Sequence, residues 1–230
     1  MKIAVFSDIH GNLDALKNVI DETQKLNIQK FICLGDYVGY YYDPEKCLDL
    51  LSDKDVEFIK GNHENILLEL INNPKDLDKY VSKYGNGIKH ALNKLTEKQV
   101  KFIKKMPEKK DLIIDNLNIL IAHGSPWDIN FYVYPNIDEV YLNKLNSYKY
   151  DVIFLGHTHI QMQIKLDSTV ILNPGSIGQP RDNDGLAKWL VFDTKTKEVQ
   201  FKKTFFNKEK IIKQVLINDP KKVSLIKYFK

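Results

Sequence analysis

The chain has 230 residues, 43% hydrophobic and 28% charged, with a formal net charge of +4. This is the composition of an ordinary globular domain with a sizeable core. The positive charge is spread out with no dense basic block, which argues against a long nucleic acid as partner, and no stretch approaches the roughly 20 apolar residues of a membrane span.

Residues 3–6 are an apolar run that reads as a strand and is too short for a signal peptide. Residues 12–26 put Leu13, Leu16, Val19 and Ile20 on one helical face, with Asn12 as N-cap. A second strand over 31–34, a helix from Pro44 to Leu51 and a third strand over 56–59 complete a βαβαβ start, which predicts a parallel sheet. The stretch from His63 to Lys105 reads as helical, broken at Pro74 and near Gly85-Asn86-Gly87. Its part over 65–105 is either an insertion capping a site or plain scaffold. Strands follow over 118–122 and 152–155, and Asp115-Asn116 marks a hairpin turn before the first of them.

Beyond Gly156, residues 161–166, 169–172, 186–192 and 199–205 read as consecutive strands, suggesting a second, mostly antiparallel sheet. Residues 208–230 read as an amphipathic helix, with Ile211, Ile212 and Val215 on one face, followed by a tail. Without a repeat or linker, 1–230 is taken as a single domain. Cys33 and Cys47 fall in a strand and a helix without metal-binding spacing, so free buried thiols and a reducing, cytoplasmic location are expected.

Five of the six histidines lie in Asp8-Ile9-His10, Gly61-Asn62-His63-Glu64, His123-Gly124 and Gly156-His157-Thr158-His159; Gly35-Asp36 completes the set. Asp8, Asp36, Asn62, His123 and His157 each follow an apolar strand. Ligands of open α/β sheets bind at the carboxyl ends of strands, so these groups should converge. Carboxylates, imidazoles and one amide, without cysteine, suit Mn²⁺, Fe, Zn²⁺ or Ni²⁺. A carboxylate can bridge two such ions roughly 3.5–4 Å apart.

The ordered set DIHGN, GD, GNHE, HG and GHTH over residues 8–159 resembles the calcineurin-like metallophosphoesterase superfamily. Asn173-Pro174-Gly175-Ser176 with Gln179-Pro180-Arg181-Asp182 extends the likeness to its small bacterial and archaeal phosphodiesterase-like branch. The resemblance implies a four-layer αββα sandwich, an α/β fold of two mixed sheets flanked by helices. It assigns one metal to Asp8, His10, Asp36 and His159, and a second to Asp36, Asn62, His123 and His157. His63 becomes the general acid or charge stabiliser at the leaving oxygen, with a metal-bound hydroxide as nucleophile. The protein phosphatases of this superfamily continue Gly-Asp with an acid and an arginine where this chain has Gly39 and Tyr40. That argues against an efficient phosphoprotein phosphatase and leaves open what orients His63.

Asn12 has two readings, substrate phosphate contact or helix cap. Arg181, the single arginine, suits phosphate binding or a salt bridge with Asp182 or Asp184. Trp127, Phe131, Tyr132 and Tyr134, and also Tyr40-Tyr41-Tyr42, either stack on a substrate or anchor their loops. His90 is read as a packing histidine. The sequence thus predicts a dimetal hydrolase, with Mn²⁺ the first metal considered. Its substrate is a small phosphodiester or phosphomonoester, nucleotide-like by the aromatic loop and Arg181. A homodimer is open. The alternative is a non-catalytic metal-binding scaffold of the same fold.

Overall fold

The computed structural model describes residues 1–182 and 184–229. The predicted βαβαβ start is present as β1 (Lys2–Phe6), α1 (Leu13–Lys25), β2 (Lys30–Cys33), α2 (Pro44–Leu51) and β3 (Asp55–Phe58), with β1–β2 and β2–β3 parallel. α1 starts at Asn12 because the Asn12 Oδ1 accepts the Ala15 amide at 3.3 Å, satisfying one amide that the helix leaves open. The long helical stretch divides into α3 (Asn62–Asn72), α4 (Leu77–Tyr84), α5 (Gly87–Lys94) and α6 (Glu97–Lys105), with breaks at Pro74 and Gly85. Then come β4 (Lys109–Ile114), β5 (Leu117–Ala122), α7 (Glu139–Asn146), β6 (Val152–Phe154), β7 (Gln161–Lys165), β8 (Val170–Pro174), β9 (Ala187–Asp193), β10 (Val199–Thr204) and α8 (Lys208–Asn218). Asp115 and Asn116, at φ of 49° and 65°, make the tight turn between β4 and β5.

The strands form two five-stranded mixed sheets, β10-β9-β1-β2-β3 and β4-β5-β6-β8-β7. The last four strands do not make a sheet of their own, which corrects the sequence reading. β9 adds antiparallel to β1 and carries β10, while β8 pairs parallel with β6 and carries β7. Alternating side chains explain the layers. Ile3, Val5, Ile32 and Leu190 of the first sheet meet Ile119, Ile121, Phe154 and Leu172 of the second in one apolar cluster. Ala4, Phe6, Phe31 and Cys33 face the other way, against Leu16 and Val19 of α1 and Leu48 of α2. Leu120, Ala122 and Ile153 pack outward with Leu145 of α7. Three apolar clusters between four layers give the αββα sandwich, and strands covered on both faces read as continuous apolar runs.

The segment after α8 is not a loose tail. Residues Val223–Phe229 form a 3-10 helix whose Leu225, Ile226 and Phe229 join the core, and the Tyr41 hydroxyl donates to the Leu225 carbonyl at 2.9 Å. Lys230, at the end of that predicted tail, lies outside the described residues. Cys33 and Cys47 are free and buried.

Candidate metal centre

The loops that leave β1, β2, β3, β5 and β6 meet at one edge of the sandwich. They stay paired past the strand ends: the Asp8 amide donates to Gly35 O at 3.1 Å, His10 to Asp36 O at 2.8 Å and Gly11 to Tyr37 O at 2.8 Å. Within the second sheet, the loops after β5 and β6 stay paired as well, with Gly156 N donating to His123 O at 2.7 Å. Asp8, His10, Asp36, His157 and His159 all have left-handed backbone, with φ between 51° and 67°. This conformation is uncommon for residues other than glycine, and such strain gathers at functional sites.

Each aspartate is fixed by one oxygen. Asp8 Oδ2 accepts the His157 amide at 3.1 Å, and Asp36 Oδ1 accepts the His63 amide at 2.9 Å. The other oxygens face imidazoles. Asp8 Oδ1 lies 3.3 Å from His159 Nε2 and 3.8 Å from His10 Nε2. Asp36 Oδ2 lies 3.3 Å from His123 Nε2, 3.7 Å from His10 Nε2 and 4.0 Å from His63 Nε2. Asn62 Oδ1 is 3.1 Å from His123 Nε2. Two compact donor groups result, Asp8-His10-His159 and Asp36-His123-His157, and His63 forms a third set with His10 and Asp36.

Backbone carbonyls set the rings. Nδ1 of His10, His123 and His159 donates to the carbonyls of Val38 (2.9 Å), Leu34 (2.7 Å) and Gln179 (2.6 Å). That leaves Nε2 of each ring with its lone pair toward the carboxylates, the arrangement by which outer partners orient metal-binding histidines. His157 is turned around: its Nε2 donates to Asn130 O at 3.2 Å, which frees Nδ1. Asp8 Oδ1 is buried with no hydrogen-bond partner. A buried carboxylate oxygen without a donor, beside imidazole lone pairs, fits a bound cation.

The cluster's charges respond to one another. Burial alone would raise the carboxyls, but His159 beside Asp8 and His123 beside Asp36 hold both well below the usual carboxylate range. Burial opposes charge on His123, yet the Asp36 carboxylate overrides it and pushes that imidazole up to about 9. Burial lowers His10 and His63, and takes His157 down to about 4 with the help of neighbouring His123.

His63 is held differently. Among the described residues neither ring nitrogen has a hydrogen-bond partner. The Tyr84 ring lies 4.6 Å from the imidazole and the Tyr40 ring 5.2 Å, and Tyr40 also packs edge-on to His10 at 4.5 Å. A Cβ on Gly39, which sits at φ +88°, would fall 2.2 Å from His63 Nδ1. A glycine and two tyrosines thus occupy the surroundings where an orienting acid was absent from the sequence. Glu64 does not take that role. Its buried carboxylate accepts the amides of Asp36, Tyr37, Val38 and Gly61 at 2.8–3.1 Å, tying the loop after β2 to α3.

Residues 1–197 match the calcineurin-like phosphoesterase superfamily domain. The chain belongs to the calcineurin-like phosphoesterase superfamily. An uncharacterised protein of Methanocaldococcus jannaschii is 30% identical over 237 residues, spanning 94% of this chain and 92% of that protein. A phosphodiesterase of the same organism is 23% identical over 175 residues, 76% of this chain and 83% of that enzyme. The crystal structure of a hypothetical protein from Pyrococcus horikoshii OT3 superposes with a TM-score of 0.85 at 21% identity, covering 98% of this chain and 96% of that one.

Within this member of the calcineurin-like phosphoesterase superfamily, the remaining predicted residues divide. Asn12 Nδ2 donates to Gly178 O at 3.0 Å while its Oδ1 caps α1, which is the capping role; one amide hydrogen is all it has left for a substrate. Arg181 makes no ion pair among the described residues, and Asp182 and Asp184 pair with Lys188 instead. Its guanidinium points to the Tyr40 hydroxyl at 3.3 Å, at the metal edge. The aromatic loop splits in two. Trp127 and Phe131 pack on Tyr141 of α7 and anchor the loop, whereas Tyr132 stacks on His157 at 4.0 Å and Tyr134 stacks on Tyr132. Tyr41 and Tyr42 are core residues. His90 packs edge-on to Tyr42 at 5.0 Å. Sequence reasoning missed Tyr84 and the carbonyls of Asn130 and Gln179, since main-chain acceptors and a tyrosine on an amphipathic helix carry no motif.

Proposed function

We propose that this protein is a phosphoesterase that uses two divalent cations to hydrolyse a small phosphodiester or phosphomonoester, nucleotide-like in character. The observation that carries the reading is Asp36. One of its oxygens is pinned by a backbone amide, and the other is shared between a donor group on each side. Asp8, His10, Asp36 and His159 would hold one ion; Asp36, Asn62, His123 and His157 the other. Bound divalent ions supply Lewis acidity to a phosphoryl oxygen and acidify water. The donor set takes Mn²⁺, Fe, Zn²⁺ or Ni²⁺, and Mn²⁺ is the metal we assign.

His63 stands beside this pair without binding to a carbonyl, so its ring is available to the leaving oxygen as proton or hydrogen-bond donor. Arg181 and Tyr40 supply a guanidinium and a hydroxyl for the phosphate's outer oxygens. No helix among the described residues is long and apolar enough to cross a membrane, and the two free buried thiols support a place in the cytoplasm.

The test is a panel with Mn²⁺: bis-p-nitrophenyl phosphate, p-nitrophenyl phosphate, a cyclic nucleotide and a diadenosine polyphosphate. Hydrolysis of at least one, lost on chelation and restored by metal, is expected. Turnover of none would return the protein to the scaffold reading.

A further inference from the structure

Beside the metal centre lies a cavity of about 350 Å³, lined by Asn62, Glu69, Lys79, Tyr80, Lys83, Tyr84 and Asn130. It begins where the centre ends. Asn62 is a proposed ligand, the Asn130 carbonyl holds His157, and Tyr84 lies 4.6 Å from His63. An ester whose phosphate sits at the metals and whose organic group leaves past His63 is led into this space. Its volume is near the lower end of small-molecule pockets, roughly 300–1,000 Å³, so it suits one nucleoside and no polymer.

Its lining has two chemical features. Tyr80 and Tyr84, one turn apart on α4, lie nearly parallel at 12° with centroids 6.4 Å apart, and offer flat faces to a base. Lys79 and Lys83 share the same helix and have no carboxylate partner among the described residues; Lys83 Nζ lies 4.8 Å from the Tyr84 ring centre. By contrast, Lys30 and Lys110 both pair with Glu57. Glu69, the one carboxylate lining the cavity among the described residues, accepts from the Tyr80 hydroxyl at 3.1 Å. The cavity therefore keeps two ammonium groups without a carboxylate partner, each lying over a ring of the aromatic wall, Lys79 Nζ at 5.5 Å from the Tyr80 ring centre.

We propose that this cavity is the organic-group subsite, taking a nucleotide that carries a second phosphate beyond the scissile one. The inference rests on the phosphoesterase reading above. The base lies along Tyr80 and Tyr84, and Lys79 and Lys83 bind the second phosphate. Because both lysines reach solvent, salt screens their contribution.

The test is calorimetric titration of the full chain in Mn²⁺ at low salt, in a His63→Ala background so that the ligand outlasts the measurement. Adenosine 3′,5′-bisphosphate should bind at least about tenfold tighter than adenosine 5′-monophosphate, and K79A/K83A should erase that preference. Tyr80→Leu should weaken both nucleotides by about tenfold or more. Equal affinity for the two nucleotides before the lysines are changed, or a preference that survives K79A/K83A, would overturn the phosphate subsite. Unchanged binding in Tyr80→Leu would overturn the stacking wall. A protein that selects the bisphosphate through these lysines yet hydrolyses no ester fails the phosphoesterase reading and keeps the subsite. Turnover without selection fails the subsite alone.

Discussion

His10, His123 and His159 differ from His63 in what holds the ring. The first three are locked through Nδ1 to backbone carbonyls at 2.6–2.9 Å, with Nε2 aimed at a carboxylate. His63 is wedged between Tyr40 and Tyr84 above Gly39. A hydrogen bond to a carbonyl fixes both the tautomer and the direction of the lone pair, which is what a metal needs. The two aromatic rings fix only the plane, Gly39 lies against Nδ1, and Nε2 is left without a hydrogen-bond partner among the described residues, free for a reacting group. Under the proposed function the contrast separates holding from reacting, among imidazoles whose neighbouring ring centres lie 4.9–5.0 Å apart.

The largest break in that contrast comes from Asp36→Asn. It should lower bound metal, read by mass spectrometry, and reduce turnover beyond the ~10²–10⁴-fold typical of a lost general acid. Full activity in this variant would discard the shared carboxylate. His63→Ala comes next. It should keep its metal while kcat falls by that same ~10²–10⁴ range; metal loss as severe as in His157→Ala would move His63 among the ligands. Gly39→Ala places a Cβ against His63 Nδ1 at φ +88°, so we expect about 1–3 kcal/mol of lost stability in denaturant unfolding. Turnover should drop with metal content unchanged. Wild-type stability together with wild-type kcat would show that the ring needs no such space. Tyr84→Leu should have the smallest effect. An aromatic pair is worth about 0.5–1.5 kcal/mol, so kcat should fall roughly 2- to 12-fold. Were only KM to change, Tyr84 would belong to the cavity and not to the holding of His63.

Much of this was legible in the chain because its signals are local. Short apolar runs ending in Asp8, Asp36, Asn62, His123 and His157 mark the strand ends, and a strand delivers its next residues to the sheet edge wherever the sheet lies. Asn12 as a cap, Pro74 and Gly85 as breaks, and Asp115-Asn116 as a turn are equally local. The two cysteines read as buried thiols from composition and placement alone.

Tertiary structure decided what depends on distant partners. Residues 161–205 alternate as antiparallel strands do, but alternation carries no record of the neighbour. Their division between two sheets follows from which edge, β1 or β6, each hydrogen-bonds. The segment after α8 read as a tail, and it is core because Leu225, Ile226 and Phe229 find apolar partners around Tyr41. The residues that could bind metal were written in the sequence as side-chain types. The carbonyls that aim them, the Glu64 carboxylate that gathers four amides and the tyrosines that hold His63 were not. Each of those works through an atom or a face that acquires meaning only when another segment is folded against it.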